Sequence, residues 1–499
     1  MATPEPTPRI VAVIGAGTMG AGIAQVAAVA GHRVLLHDVA PGAAERAVAS
    51  IGAALERLEQ KGRLTADDRA ATTSRLQVAT SLADVAPAGL VIEVVVERLD
   101  VKQALFAELE GIVTPDAVLA SNTSSLSITE IAAGLAHPGR VVGMHFFNPA
   151  PVLPLVEVVS GMATDPAVAG SVFDLATTWG KTPVHATSTP GFIVNRVARP
   201  FYGEAFRAYE EGAADPATID ALLREAGGFR MGPFELTDLI GQDINAAVSR
   251  SVWKAFDRDP RFTPSASQAE LVAAGRLGRK TGGGWFSYGE GASVPAPSTA
   301  PPADPPASVV IHGESAPLDR LLDRLPSSVA ITRLEVPLGR GWVELRGGTE
   351  LHQTAGTIAS ELATLRDGPV VVVDLVGDPT TATRIAIAVG IDTPAEGLDE
   401  AVGLLQACGL AVSVVADVPG LVVARTLAML VNVAADAVEA GVASTEDVDL
   451  AMRAGVNYPR GPLEWGSAIG PAYLLEVLRG LGEYDREHYR PSPWLEFLR

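Results

Sequence analysis

Gly15, Gly17 and Gly20 stand in the run Arg9-Ile-Val-Ala-Val-Ile-Gly-Ala-Gly-Thr-Met-Gly-Ala-Gly-Ile-Ala24, and Asp38 closes the next apolar stretch, Arg33-Val-Leu-Leu-His-Asp38. Glycines at that spacing suit a phosphate cradle. Gly15 lets the chain turn tightly from a strand into a helix, and Gly17 keeps the backbone bare where a side chain would block a pyrophosphate. Gly20 allows close packing of helix on strand. The free N–H groups and macrodipole of the helix N-terminus favour negative charge there. A carboxylate about twenty residues further on accepts both ribose hydroxyls and repels a 2′-phosphate, so the pattern predicts a site for NAD in preference to NADP. Its chemistry is redox.

A second set of residues suits proton transfer. Oxidising a secondary alcohol sheds a hydride and a proton, and the proton needs a base. His145 closes the apolar stretch Val141–His145 on the side where a dinucleotide would lie, and imidazole exchanges protons near neutral pH. Glu157, in the next apolar stretch Leu155–Val159, is placed to accept an Nδ1–H bond, which fixes the tautomer and stabilises the imidazolium.

The elements that must position these groups follow from periodicity. Ile10–Ile14 reads as a buried parallel strand, Ala43–Lys61 as a helix, and Leu76–Ala79, Leu90–Val96 and Val118–Ala120 as further short strands. Strands and helices alternate, with polar turns after each strand where site residues gather. After Thr189-Pro-Gly191 the character changes: Phe192–Gly212, Pro216–Gly227 and Gly232–Phe256 read as long helices. Residues 293–306, with their many prolines, read as an extended linker too rich in proline to pack.

Composition bounds the whole. The 499 residues predict two to four domains, and 47% apolar residues suffice for their cores. A net charge of −20 argues against nucleic acid or an anionic membrane as partner. The single cysteine, Cys408, rules out an internal disulfide and a thiolate metal cluster, as a reducing cytoplasm leads one to expect. No apolar run approaches a membrane span, and the short polar segment before Ile10 is no secretory signal, so the expected location is cytoplasmic.

An internal repeat organises the second half. Pro190-Gly-Phe-Ile-Val-Asn-Arg196 recurs as Pro419-Gly-Leu-Val-Val-Ala-Arg425, an offset of 229 residues. The register holds without a gap: Asp220 meets Asp449, Gly232-Pro233 meets Gly461-Pro462, and Gly241 meets Gly470. Upstream the chemistry stops matching, since Asp374 falls where His145 stands, Ala386 where Glu157 stands, and Ala424 where Asn195 stands. The expected architecture is an α/β Rossmann-type N-terminal domain (1–189) plus an all-α domain (190–290). A proline-rich linker (291–308), a degenerate Rossmann-like segment (309–418) that neither binds NAD nor catalyses, and a second copy of the all-α domain (419–499) follow.

Ser121-Asn-Thr-Ser-Ser125, Gly143-Met-His-Phe-Phe-Asn-Pro149, Leu155-Val-Glu157, Pro190-Gly-Phe-Ile-Val-Asn-Arg196, Met231-Gly-Pro-Phe-Glu235 and Lys280-Thr-Gly-Gly-Gly-Trp-Phe286 together resemble the L-3-hydroxyacyl-CoA dehydrogenase family over residues 9 to 290. The doubled helical domain, with Gly455-Val-Asn-Tyr-Pro-Arg-Gly-Pro462, resembles a bacterial subgroup of phenylacetate breakdown acting on 3-hydroxyadipyl-CoA. The resemblance implies NAD as cofactor and a 3-hydroxyacyl-CoA as substrate. It gives His145 and Glu157 the catalytic parts, with Ser124, Asn148 and Asn195 hydrogen bonding to the substrate oxygen and thioester side. Glu97 and Lys102 read as surface charges by themselves, but the resemblance places both near the nicotinamide ribose. With Gly15, Gly17, Thr18, Met19, Gly20, Asp38 and Asn122 they make up the expected cofactor set.

Other readings stay open at this level. A 3-hydroxybutyryl-CoA substrate is the alternative. A dehydrogenase of free β-hydroxy acids should carry a lysine in Phe192–Arg207, which has none, and a non-catalytic nucleotide binder should lack the His145 and Glu157 pair. A distal carboxylate on the substrate would want an arginine; Arg199, Arg207 and Arg230 are candidates. The partner surface belongs either to a homo-oligomer or to a pseudo-dimer made by the duplicated helical domain.

Overall fold

The computed structural model describes residues 10–314, 316–336 and 340–497; the polar segment ahead of Ile10 lies outside them. The chain divides into one unit running to Arg196 and including Ala440–Val456, and another of Val197–Glu439 with Asn457–Arg499.

The first unit holds β1 (Val11–Ile14), β2 (Val34–His37), β3 (Leu76–Val78), β4 (Leu90–Glu93), β5 (Val118–Ser121), β6 (Val141–Phe146), β7 (Leu155–Ser160) and β8 (Thr182–Thr187), in the order β3-β2-β1-β4-β5-β6-β7-β8. Every residue of β1, β2, β4 and β5 is buried, as expected where helices cover both faces of a parallel sheet. Strand order reverses between β1 and β4, both parallel, which opens a crevice at their carboxyl ends.

β7 runs antiparallel to β6, so Glu157 lies within its strand and pairs directly across from His145. β8, parallel to β7, escapes a hydropathy reading because Thr182, His185 and Thr187 interrupt its apolar residues. The helix Thr445–Val456 lies on β7 and β8. Its approach is tight: a Cβ on Gly455 would come within 2.5 Å of Leu155 Cδ2.

The second unit begins with the helices Arg199–Glu210, Pro216–Glu225, Pro233–Ile240 and Gln242–Ala255. The last two read as one stretch in the sequence, but Gly241 at φ 107° breaks it. A second sheet follows: β9 (Ser308–His312), β10 (Ala330–Leu334), β11 (Trp342–Glu344), β12 (Glu350–Gln353), β13 (Val370–Val373), β14 (Arg384–Val389) and β15 (Ala411–Val414), ordered β10-β9-β11-β12-β13-β14-β15. β13 and β14 pair antiparallel and β14 and β15 parallel, repeating β6, β7 and β8.

The helix Pro216–Glu225 covers β14, with Glu225 O accepting from Thr383 N–H at 3.0 Å and Glu225 Oε2 from Arg384 Nε at 2.9 Å. At the 229-residue offset this helix corresponds to the one on β7. Each unit therefore joins a helix of one copy to the sheet of the other. The helix Val423–Glu439, buried for most of its length, packs on Arg199–Glu210. Between them Arg425 pairs with Glu204 at 3.0 Å and Glu211 at 2.6 Å. Burial acts to raise the Glu204 pKa, but His488 and Arg425 outweigh it and hold the carboxyl down to about 2.

The proline-rich segment forms neither helix nor strand, yet it packs. Ala300 N–H donates to Val412 O of β15 at 2.7 Å, Ala303 N–H donates to Gln406 Oε1 at 2.9 Å, and a Cβ on Gly403 would meet Asp304 O at 2.1 Å. An extended backbone leaves its polar groups free, so it can bond to neighbours although proline bars it from helix and sheet interior.

Asp374, at the place of His145, is fully buried and accepts N–H bonds from Val422 at 3.0 Å, Val423 at 2.8 Å and Ala424 at 2.9 Å. Asp374→Ala strands those donors at the entrance of a buried helix. It should lower unfolding free energy by about 3 kcal/mol, read as a shifted urea midpoint; an unmoved midpoint would contradict the role.

Candidate active site

β6 and β7 place the central pair. His145 Nδ1–H donates to Glu157 Oε2 at 2.6 Å, and both residues are buried. A carboxylate only accepts, so Nδ1 carries a proton, and in the neutral imidazole that leaves Nε2 with its lone pair. Glu157 Oε1 accepts N–H bonds from Ile193 and Val194, each at 3.0 Å, so both carboxylate oxygens are engaged. Phe147 and Phe192 flank the imidazole at ring-centroid distances of 4.5 and 5.8 Å. Phe192 is strained, at φ 45°, and its repeat counterpart Leu421 is too, at 52°. The strain thus belongs to the entry of the helical region and not to the chemistry.

Ser124 and Asn195 meet nearby. Asn195 Nδ2 donates to Ser124 O at 3.4 Å, and Ser124 N–H donates to Glu97 Oε1 at 3.1 Å, which pins the serine backbone and leaves its hydroxyl uncommitted. Asn122 Oδ1 accepts from Phe146 N–H at 2.8 Å, tying the end of β5 to the end of β6. Asn148 is exposed just beyond β6, and its side chain makes no hydrogen bond among the described residues.

Lys102 differs from the surface-charge reading, whereas Glu97 stays exposed and is bonded on its inner side. Lys102 is 1% exposed and pairs with Glu93 at 2.6 Å and Glu97 at 3.3 Å. Glu97 also accepts from Thr123 Oγ1 at 2.5 Å and Ser125 Oγ at 2.9 Å. Burial acts to raise its pKa, but the Thr123 bond, the Lys102 charge and the serine bonds leave it lowered. Glu93, fully buried, was not legible as a site residue; besides Lys102 it accepts from Ser121 Oγ at 2.6 Å. Its one sequence signal is a carboxylate closing an apolar strand, as Asp38 follows β2. The network ties the loops after β4 and β5 to one buried ammonium.

The glycine loop fits a dinucleotide. Gly15, at φ 109°, passes so close to β4 that a Cβ would meet Val94 O at 2.5 Å, and a Cβ on Gly20 would meet Gly15 O at 1.8 Å. Around Gly17 there is open space, and no side chain caps the helix Thr18–Val29. Thr18 is exposed and Met19 half-buried in its first turn. Asp38 holds the loop through Ala16 N–H at 2.7 Å beside a cleft of about 520 Å³, which Gly15, Gly17, Val94 and Leu105 help to line. Among the described residues no cluster could hold a metal, and no helix is long and apolar enough to cross a membrane.

Comparison with known proteins agrees along the whole chain. The NAD binding domain of 3-hydroxyacyl-CoA dehydrogenase matches residues 10–189, and the C-terminal domain of that family matches 191–288 and again 420–498. Residues 351–419 match the 3-hydroxybutyryl-CoA dehydrogenase reduced Rossmann-fold domain. A 3-hydroxyadipyl-CoA dehydrogenase of Escherichia coli is 46% identical over 98% of this chain and 96% of its own. A probable 3-hydroxybutyryl-CoA dehydrogenase of Deinococcus radiodurans is 40% identical over 55% of this chain and 99% of its own. The crystal structure of an Escherichia coli 3-hydroxybutyryl-CoA dehydrogenase superposes with a TM-score of 0.88 and 45% identity, covering 99% of this chain and 98% of that one.

Asp38→Ser removes the carboxylate beside the cleft. Titration of reduced cofactors by fluorescence should then show NAD(H) binding weakened by about 10-fold or more and discrimination against the phosphorylated form reduced; an unchanged ratio would exclude Asp38 as the selector.

Proposed function

The chain belongs to the 3-hydroxyacyl-CoA dehydrogenase family, and on that premise we propose that it oxidises the hydroxyl of (S)-3-hydroxyacyl-CoA thioesters, with 3-hydroxyadipyl-CoA as its substrate. The carrying observation is the 2.6 Å bond between His145 Nδ1 and Glu157. Bound NAD supplies the hydride acceptor, held by the loop Gly15–Gly20, the N-terminus of the following helix and Asp38. His145 Nε2 takes the hydroxyl proton as the C3–H electron pair leaves, and a carbonyl forms at C3. Glu157 stabilises the resulting imidazolium without itself taking the proton. The Ser124 hydroxyl and the Asn195 amide orient the substrate oxygen. Glu97 and Lys102 hold the loop that carries Ser124.

The substrate assignment draws on the relative named 3-hydroxyadipyl-CoA dehydrogenase, to which this chain is similar from end to end. A 3-hydroxybutyryl-CoA substrate is the second reading, favoured by the name of the similar solved structure. The burial of Val423–Glu439 against Arg199–Glu210 supports a pseudo-dimer, in which duplication covers within one chain the surface that a second copy would cover.

His145→Gln should lower kcat about 10² to 10⁴-fold while leaving NAD affinity nearly intact; unchanged turnover would remove His145 from the reaction. Relative kcat/KM for 3-hydroxyadipyl-CoA and 3-hydroxybutyryl-CoA decides between the substrates. Sedimentation should show a monomer, and a stable dimer would oppose the intrachain pairing.

A further inference from the structure

Five side chains close a circuit around the turns after β4 and β5. Glu93 Oε1 accepts from Lys102 Nζ at 2.6 Å, Lys102 Nζ pairs with Glu97 Oε2 at 3.3 Å, and Glu97 Oε1 accepts from Thr123 Oγ1 at 2.5 Å. Thr123 N–H donates to Ser121 Oγ at 3.2 Å, and the Ser121 hydroxyl donates to the other oxygen of Glu93 at 2.6 Å, which closes the ring. Glu93, Lys102, Ser121 and Thr123 are buried, and of the five Glu97 alone reaches the surface.

The two sides of the circuit hold different things. Glu93 Oε1 also accepts from Val95 N–H at 2.6 Å, and Val95 lines the cleft beside Asp38. Glu97 Oε1 also accepts from the N–H groups of Ser124 at 3.1 Å and Ser125 at 3.2 Å. The cofactor wall and the serine backbone therefore hang on one set of bonds, whose deepest charge is Glu93. Stability does not account for such a set. Taking ionised groups out of water costs about as much as their attraction returns, and apolar residues of like volume commonly serve a fold as well. What directed bonds supply, and apolar packing does not, is position. Ser124 needs it: it is held through its backbone, with Glu97 at its N–H and Asn195 at its carbonyl, and a misplacement of about 1 Å at a reacting group can cost about 10²-fold in rate.

We propose that Glu93 and Ser121 are positioning residues for the oxidation: through this circuit they fix Ser124 against the substrate oxygen and tie its placement to the wall of the cofactor cleft. The assignment rests on the dehydrogenase reading above. Neither residue touches substrate or cofactor in it. Ser121 serves the serine side alone, because its hydroxyl joins Glu93 to Thr123 and to nothing at the cofactor wall. Glu93 serves both sides, one oxygen bonding Val95 and Lys102 and the other bonding Ser121. The two residues are therefore separable by experiment.

The test is a double-mutant cycle read as kcat at saturating NAD, with 3-hydroxyadipyl-CoA and 3-hydroxybutyryl-CoA as substrates. Ser121→Ala should lower kcat about 10-fold, by the same factor for each substrate turned over, since the reacting hydroxyl is common to them. Its NADH affinity, measured by fluorescence titration, should match wild type. In a Ser124→Ala background the same substitution should lower kcat by less than about 2-fold, because the group it positions is already gone. Glu93→Gln, which keeps the shape and removes the charge, should lower kcat at least as far and also weaken NADH binding. A Ser121→Ala loss of equal size in both backgrounds reports general loosening and overturns the proposal, as does an unchanged kcat in Ser121→Ala. Should Glu93→Gln fail to fold, the Ser121 cycle decides alone. Wild type that turns over neither thioester overturns the dehydrogenase reading itself, whereas turnover without coupling overturns only the positioning.

Discussion

The Glu157 carboxylate is the interaction on which the site depends. One oxygen orients the His145 imidazole and the other holds the N–H groups of Ile193 and Val194, where the helical region begins. Orientation of the imidazole and anchoring of the first helix thus share one buried side chain. Fully buried and fully bonded, it has no freedom to wander, so one carboxylate sets both the orientation of the His145 ring and the backbone at Ile193 and Val194.

The duplicate shows which half of that arrangement folding needs. Asp374 reaches the N–H groups of Val422, Val423 and Ala424 from the position of His145, and Ala386 stands where Glu157 would be. A carboxylate at the helix entrance is retained, and the imidazole is gone. The anchoring role survives by moving to the neighbouring strand, with the shorter aspartate taking over the backbone bonds. The strained residue at the entrance persists in both copies as Phe192 and Leu421, as a folding feature should.

Much of this was legible in the residues. Gly15, Gly20 and Asp38 act through local backbone geometry that spacing alone fixes, and the repeat is visible as a constant offset. His145 and Glu157 could be paired because adjacent strands bring their positions together, although the antiparallel turn that sets them face to face could not be read from hydropathy. What escaped depends on distant partners. Lys102 looks like a surface charge until Glu93 is seen beneath it, the prolines of 293–306 look unable to pack until β15 offers them an edge, and β8 has no clean apolar pattern.

The helix Thr445–Val456 rests on β7 and β8, and β7 is the strand that carries Glu157. The second copy therefore covers the strand that carries Glu157, and any change in that helix acts through β7 on the bond between Glu157 and His145.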